Sequence, residues 1–126
     1  MTTKQDILNI AHARMVDRIS TLDCLRVDKG MGLEGWFKIE LYHALILRNI
    51  SVKIKGKGPD LDLGAFKLEV KAAQAKSACW VRKDWLKYPG VDCLFLGPQT
   101  LVESLDVDHH YHVDDYWIVG IICNEK

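Results

Sequence analysis

The segment from 60 to 71 constrains the fold more than any other part of the sequence, because it reads as two short strands joined by Gly64-Ala65. Glycine at the first central position of a two-residue connection is typical of a type II′ hairpin turn. That turn sets the strand register, in which Leu63 faces Phe66. Strand side chains alternate between the two faces of a sheet, so the strand positions divide into an apolar and a polar face. The apolar face comprises Leu61, Leu63, Phe66, Leu68 and Val70, and the polar face comprises Asp60, Asp62, Lys67, Glu69 and Lys71.

The polar face of this hairpin contains one pair that an ordinary solvated face would avoid. The register places Asp62 opposite Lys67, which is favourable, but it places Asp60 opposite Glu69. Two carboxylates across a strand pair repel each other, at a cost of roughly 0.2–1 kcal/mol. A divalent cation such as Mg²⁺ or Mn²⁺ between them would reverse the sign of that interaction, because such ions bind one or two carboxylates together with water and phosphate oxygens. Lys71 lies on the same face, close enough to orient or deprotonate a nucleophilic water.

Pro59-Asp60, followed by Glu69-Val70-Lys71, resembles the PD-(D/E)xK signature of the restriction-endonuclease-like nuclease superfamily. The order of elements over about residues 33–122 is also similar to the core of that superfamily: a helix, a three-stranded meander bearing the motif, a helix and further strands. The resemblance implies a Mg²⁺-dependent DNA endonuclease. It implies that Asp60 and Glu69 hold the metal ion, that the carbonyl of Val70 completes the site, and that Lys71 assists the attacking water.

Two glutamates on the preceding helix are candidates for the additional acid that many members of the superfamily carry. Glu40 is the better match, because it shares a face of the predicted helix with Phe37 and Ala44, where a charge needs a partner. Alternatively, Glu40 is a boundary residue paired with a lysine or an arginine. Glu34 lies at the start of the helix, where the helix dipole alone favours an acid, and it ranks second.

The remaining patterns predict a single domain with an α/β architecture, in which helices flank a mixed sheet. Helices are predicted over 4–20, 33–48 and 77–87, and strands over 50–55, 60–63, 66–71, 91–96 and 116–122. In terms of the resemblance, this is a restriction-endonuclease-like core over 33–122, preceded by an N-terminal helix and loop over 1–27. The four cysteines form no CxxC pair and are predicted to be reduced thiols of a cytoplasmic protein.

The net charge of zero hides a segregation along the chain. Residues 51–88 carry 9 basic and 4 acidic side chains, whereas residues 89–126 carry 1 basic and 7 acidic side chains. The basic middle third could therefore face a polyanion. In the nuclease interpretation, the residues that contact nucleic acid are Lys53, Lys55, Lys57, Gln74, Lys76, Arg82 and Lys83. In the alternative interpretation, the lysines form a solvated strand face and a solvated helix face.

The segment 106–115 concentrates three of the five histidines among four acidic residues. Imidazole and carboxylate groups suit zinc or another transition metal. The sequence has no second cluster to close such a site, so a flexible acidic loop between two strands is the favoured interpretation.

Three functions are compatible with these patterns. The first is a Mg²⁺-dependent endonuclease acting on DNA, including branched DNA, as a homodimer that cuts two strands. The second is a catalytically inactive binding or accessory protein with the same fold, which the net neutrality, the small size and the acidic final third favour. The third is an RNA-directed nuclease.

Overall fold

The computed structural model of the chain describes residues 2–27, 32–54, 59–74, 88 and 90–124. The helices in these ranges are α1 (Lys4–Val16), α2 (Ile19–Val27) and α3 (Leu33–Leu47). The strands are β1 (Lys53–Ile54), β2 (Leu61–Asp62), β3 (Lys67–Ala72), β4 (Asp92–Pro98), β5 (His109–His112) and β6 (Trp117–Ile122), and a short 3₁₀ turn at Gln99–Leu101 follows β4.

The strands form one mixed sheet in the order β1-β2-β3-β4-β6-β5. β3 and β4 run parallel, and the other neighbouring pairs are antiparallel. Parallel neighbours require a crossover connection, which here spans the residues between β3 and β4. The predicted helix over 77–87 falls in this crossover and lies outside the described residues. The expected α/β class, with a mixed sheet and packed helices, is confirmed.

Helices α1 and α3 cover one face of the sheet, called here the helix-covered face. The buried side chains of this core include Ile7, Ala11 and Met15 from α1, Phe37, Leu41 and Leu45 from α3, and Leu61, Leu68, Val70, Leu94, Trp117 and Val119 from the sheet. A second, smaller cluster lies on the opposite face, where Cys93, Phe95, Ile118 and Ile122 pack against Leu101 and Leu105. The near-continuous apolar strands β4 and β6 are therefore buried on both faces, as their sequences predict.

The N-terminal helix is shorter than its sequence pattern predicts. Thr3 and Asp6 form the expected capping box at the start of α1. The N–H of Arg18 bonds to the carbonyl of Met15 at 3.0 Å, three residues back, and this tightened turn ends α1 before α2 begins. The prediction of one helix over 4–20 is therefore wrong. The prediction for α3 is confirmed to within one residue.

β5 corrects another prediction, because 109–112 is a strand rather than part of a flexible loop. It pairs antiparallel with β6, with Tyr111 opposite Val119. Both faces of this edge strand are largely accessible, so its sequence shows no apolar alternation that would mark a strand.

None of the helices in the described ranges combines the length and the apolar character needed to cross a membrane.

Candidate functional site

The β2–β3 hairpin has the register that its two-residue connection predicts. Leu61 lies opposite Leu68 and Asp62 opposite Lys67. The N–H of Leu63 bonds to the carbonyl of Phe66 at 3.0 Å, which closes the turn at Gly64. Gly64 has φ +88°, a value that glycine adopts without the strain that other residues incur. The apolar side chains of the hairpin pack into the helix-covered face, so the polar residues between them are directed to a common surface.

Asp60 and Glu69 meet at the end of this hairpin and are tied together through the main chain. The N–H of Asp60 donates to Glu69 Oε1 at 3.1 Å. The N–H of Val70 donates to Asp60 Oδ2 at 2.9 Å. The peptide group of Val70 therefore lies directly against the Asp60 carboxylate. Glu69 is only 4% exposed, so two carboxyl groups share a partly desolvated position.

Helix α3 contributes an acid and a base to the same position. Lys38 Nζ lies 3.0 Å from Asp60 Oδ1 and 3.4 Å from Glu34 Oε2, one helical turn earlier. Lys71 Nζ lies 3.8 Å from Glu34 Oε1 and 3.8 Å from Glu69 Oε2, and Lys71 is 4% exposed. Three acids and two lysines thus form one group, called here the Asp60 cluster: Asp60, Glu69, Lys71, Glu34 and Lys38.

The pKa values of Asp60 and Glu69 are shifted in opposite directions. Burial, a hydrogen bond with Asp60 and the negative charge of Asp60 raise the pKa of Glu69 to about 8. Burial also acts to raise the pKa of Asp60, but hydrogen bonds from Glu69, Val70 N–H and Lys38 outweigh it and lower that pKa below its usual value. At neutral pH, Glu69 is mainly protonated and Asp60 is charged. The repulsion expected from the sequence is therefore relieved in three ways: by a proton, by main-chain donors and by Lys38.

We expect the free energy of unfolding to fall as pH rises from about 5 to about 8. The folded protein holds the Glu69 proton up to a pKa of about 8, whereas the ordinary pKa of a glutamate is 4.5, so raising the pH favours the unfolded chain in that window. Asp60 has the opposite effect on the pH dependence. Because its pKa is lowered in the folded protein, its contribution to stability is lost only as the pH falls through that lowered pKa. Urea denaturation of the wild type and Glu69→Gln across this range tests the expectation. A slope that persists unchanged in Glu69→Gln would show that another group is responsible.

Glu40, the acid preferred from the sequence, lies elsewhere. Its Oε1 accepts hydrogen bonds from Arg14 Nη1 at 3.0 Å and from Arg18 Nε at 2.9 Å. Six residues separate it from Glu34, which places the two side chains about 120° apart around the helix axis. The alternative interpretation of Glu40, a boundary acid paired with arginine, is the one that the structure shows, and Glu34 is the glutamate that joins the Asp60 cluster.

The predicted nucleic-acid contacts fall mainly outside the described residues. These are Lys55, Lys57, Lys76, Arg82 and Lys83, and the side chain of Lys53 is likewise outside the described part of the chain. Gln74 is described, and its Nε2 donates to the carbonyl of Leu25 at 2.9 Å. This bond ties the end of β3 to α2, so the Gln74 amide has a structural contact.

The oxygen donors of the Asp60 cluster suit a hard divalent cation. One or two carboxylates, completed by water and phosphate oxygens, are the usual protein contribution to a Mg²⁺ site. Glu34 Oε1 is buried and accepts no hydrogen bond from the described residues, so it is an additional oxygen without a close donor. Within those residues, no three His, Cys, Asp or Glu side chains form a ready-made cage for a metal ion. The donor set therefore fits an open two-carboxylate site. A metal ion bound there would displace the Lys38 ammonium from Asp60.

Two members of the Asp60 cluster were missed or ranked low in the sequence. The Glu34–Lys38 spacing of four residues is a recognisable helical ion pair, but it does not indicate which strand the pair faces. Cys93 was also missed; it lies opposite Glu69 in the β3–β4 register and is fully buried. Burial, reinforced by the charge of Glu69, raises the pKa of the Cys93 thiol, so Cys93 is an uncharged buried side chain next to the cluster.

Comparison of the chain with protein-family models, with curated protein sequences and with solved structures finds no match in any of the three. Any function assigned to the Asp60 cluster therefore depends on its own geometry and chemistry.

Proposed function

We propose that this chain is a Mg²⁺- or Mn²⁺-dependent DNA endonuclease of the PD-(D/E)xK type, which hydrolyses phosphodiester bonds at the Asp60 cluster. The observation that carries the proposal is the convergence of Asp60, Glu69 and Lys71: two hydrogen-bonded acids, one directly before β2 and one in β3, with a buried lysine 3.8 Å from one of them. Buried acids and a buried lysine in contact are costly for stability, and such groupings are more common at functional sites than elsewhere.

Each residue of the cluster has a distinct role in this proposal. Asp60 and Glu69 would hold the metal ion, with the Val70 carbonyl as a further oxygen donor. Glu69 would have to release its proton to solvent when the ion binds. When bound, the ion would polarise the phosphate and make a coordinated water more acidic. Lys71 would orient the attacking water through its ammonium group. Glu34 would keep the ammonium of Lys71 in place, because it lies 3.8 Å from that group.

The fold supports the same proposal. A β-hairpin that bears the acids, followed by a parallel β3–β4 step and helices on the sheet, is compatible with a restriction-endonuclease-like core. We further propose that the protein acts in the cytoplasm on DNA, including branched DNA, as a homodimer that cuts two strands. A nuclease acting on RNA would use the same cluster, so single-stranded RNA belongs in the substrate panel.

The test is cleavage of supercoiled plasmid, branched DNA and single-stranded RNA by the purified protein, with Mg²⁺, with Mn²⁺ and with EDTA. We expect nicked or linear DNA only in the presence of a divalent ion. Absence of cleavage of every substrate in both ions would contradict the nuclease proposal.

Lys38 favours a second candidate function, a binding or accessory protein that does not cut. Its ammonium lies 3.0 Å from Asp60 Oδ1 and supplies a positive charge to the acids without a metal ion. Calorimetry with Mg²⁺ and Mn²⁺ separates the two candidates. Absence of ion binding to the wild type, together with greater stability of Glu69→Gln, would favour the non-catalytic protein. Ion binding that is lost in Asp60→Asn would favour the nuclease.

A further inference from the structure

β5 carries two histidines on the same side of the sheet. It is the last strand in the sheet order on that side, next to β6. His110 lies opposite Gly120 and His112 opposite Ile118, and Ile118 belongs to the core cluster on the face away from α1 and α3. Because partners in register point to the same face, both imidazoles are on that face. His112 is exposed and His110 is half-buried.

The spacing of the two rings suits a shared metal ion. Their centroids are 5.5 Å apart and their planes are inclined by 72°. In a tetrahedral centre with Zn–N bonds of about 2.0–2.1 Å, the centroids of two imidazole ligands lie about 5 Å apart. Small side-chain rotations would therefore bring a nitrogen of each ring onto one ion. Within the described part of the chain, the ring nitrogens of both histidines make no hydrogen bond or ion pair. The hydrogen bond between His12 of α1 and His112 uses the carbonyl of His112 and not its ring.

The neighbourhood of His110 provides room and further donors. A cleft of about 570 Å³ is lined by residues that include Gln99, Thr100, Glu103, His110 and Asp115. Gly120 helps to keep this position open, because a Cβ there would lie 3.0 Å from the His110 Cβ and 2.5 Å from Val107 Cγ1. Glu103 and Asp115 line the same cleft as His110, so the charge around the cleft favours a cation.

We propose that His110 and His112 form a binding site for a late first-row transition-metal ion, with Zn²⁺ as the expected occupant. Imidazole nitrogens favour such ions over Mg²⁺, so the site differs in chemistry from the Asp60 cluster. It also differs in place, because three strand spacings of about 4.8 Å separate β5 from β3. No third His, Cys, Asp or Glu of the described residues completes a preformed cage, so the ion would retain positions for water or for an anionic ligand from the cleft. The proposal is independent of the nuclease function.

Zn²⁺ titration by calorimetry tests the site, with Mg²⁺ present in excess to occupy the carboxylates of the Asp60 cluster. We expect one Zn²⁺ to bind the wild type, and His110→Ala and His112→Ala each to weaken binding by about tenfold or more. His109→Ala is the matched control, because it removes an imidazole from the same strand on the opposite face. We expect its affinity to match that of the wild type.

A spectroscopic measurement identifies the ligands of the bound ion without relying on the binding affinity. Cu²⁺ bound to the wild type is expected to show couplings to two imidazole nitrogens in its paramagnetic resonance spectrum, to one in His112→Ala and to two in His109→Ala. Circular dichroism of each variant confirms that it is folded. The proposal is overturned if Zn²⁺ does not bind the wild type, if His109→Ala loses as much affinity as His112→Ala, or if binding is lost in Asp60→Asn but retained without His110 and His112.

Discussion

Replacing Asp60 by asparagine is expected to slow Mg²⁺-dependent cleavage of plasmid DNA by about a hundredfold to a thousandfold, because a metal ligand supplies several kcal/mol of transition-state stabilisation. The asparagine removes the negative charge that faces Lys38 at 3.0 Å and keeps the shape of the side chain. Ion binding should weaken together with the rate. Initial rates of nicking, measured with the calorimetric affinity for Mg²⁺, check both expectations.

Asp62→Asn is the matched control for this experiment. Asp62 lies two residues after Asp60, at the end of β2, and accepts the N–H of Gly64 at 3.0 Å, a contact within the turn. The rate for this variant should stay within about twofold of the wild type, since a half-buried charge next to a turn and outside the Asp60 cluster contributes little. Equal losses in Asp60→Asn and Asp62→Asn would indicate a general effect of charge on DNA binding.

Lys71→Met extends the same expectation to the second part of the cluster. Methionine suits a position that is 4% exposed, so the fold should tolerate it while the ammonium is lost. We expect a similar loss of rate with Mg²⁺ affinity retained, because Lys71 acts on the water and not on the ion. Cleavage that survives both Asp60→Asn and Lys71→Met would assign the activity to another part of the protein or to a contaminating nuclease.

The hairpin and its acids could be predicted because the signals are local. A glycine at the right place in a two-residue turn sets the register, and the register alone determines that Asp60 meets Glu69. The buried strands β4 and β6 were similarly visible as short apolar runs bounded by polar residues. Predicting these elements requires no knowledge of what packs against them.

The choice between the two glutamates of α3 could not be made in the same way. Both lie on a predicted helix, and the difference between them depends on where α1 crosses that helix. Arg14 of α1 and Arg18 of the turn between α1 and α2 reach Glu40, while the first turn of α3 lies over the hairpin. The sequence shows that Glu40 needs a partner, but it does not show which element provides one.

β5 illustrates a second limit. The alternation of its side chains is the same as in any strand, yet neither side is fully buried and the residues are polar or aromatic. Hydrophobic periodicity carries no information for such an edge strand. Its position becomes clear only once β6 is present as a partner, with Gly120 leaving space for His110.

Exchanging each of the two glutamates of α3 for glutamine is expected to separate activity from stability. Glu40→Gln removes the charge that pairs with Arg14 and Arg18, and Arg14 is only 9% exposed. Breaking a fully buried pair costs about 3–5 kcal/mol, and here we expect about 1–2 kcal/mol because the Arg18 side chain is 39% exposed. The cleavage rate per folded molecule should not change.

Glu34→Gln should have the opposite outcome. Its carboxylate lies within 4 Å of Lys38 and Lys71, so losing the charge frees both ammonium groups to reorient towards Asp60 and Glu69. We expect a loss of at least about tenfold in cleavage rate, since a single positioned charge commonly contributes 1–2 kcal/mol to catalysis. The free energy of unfolding should stay within about 1 kcal/mol of the wild type, because Glu34 is more than one quarter exposed. Urea denaturation and nicking rates of the two variants provide the comparison. Since the substitutions are chemically identical and lie on one helix, an equal effect of both on cleavage would place Glu34 outside the catalytic group.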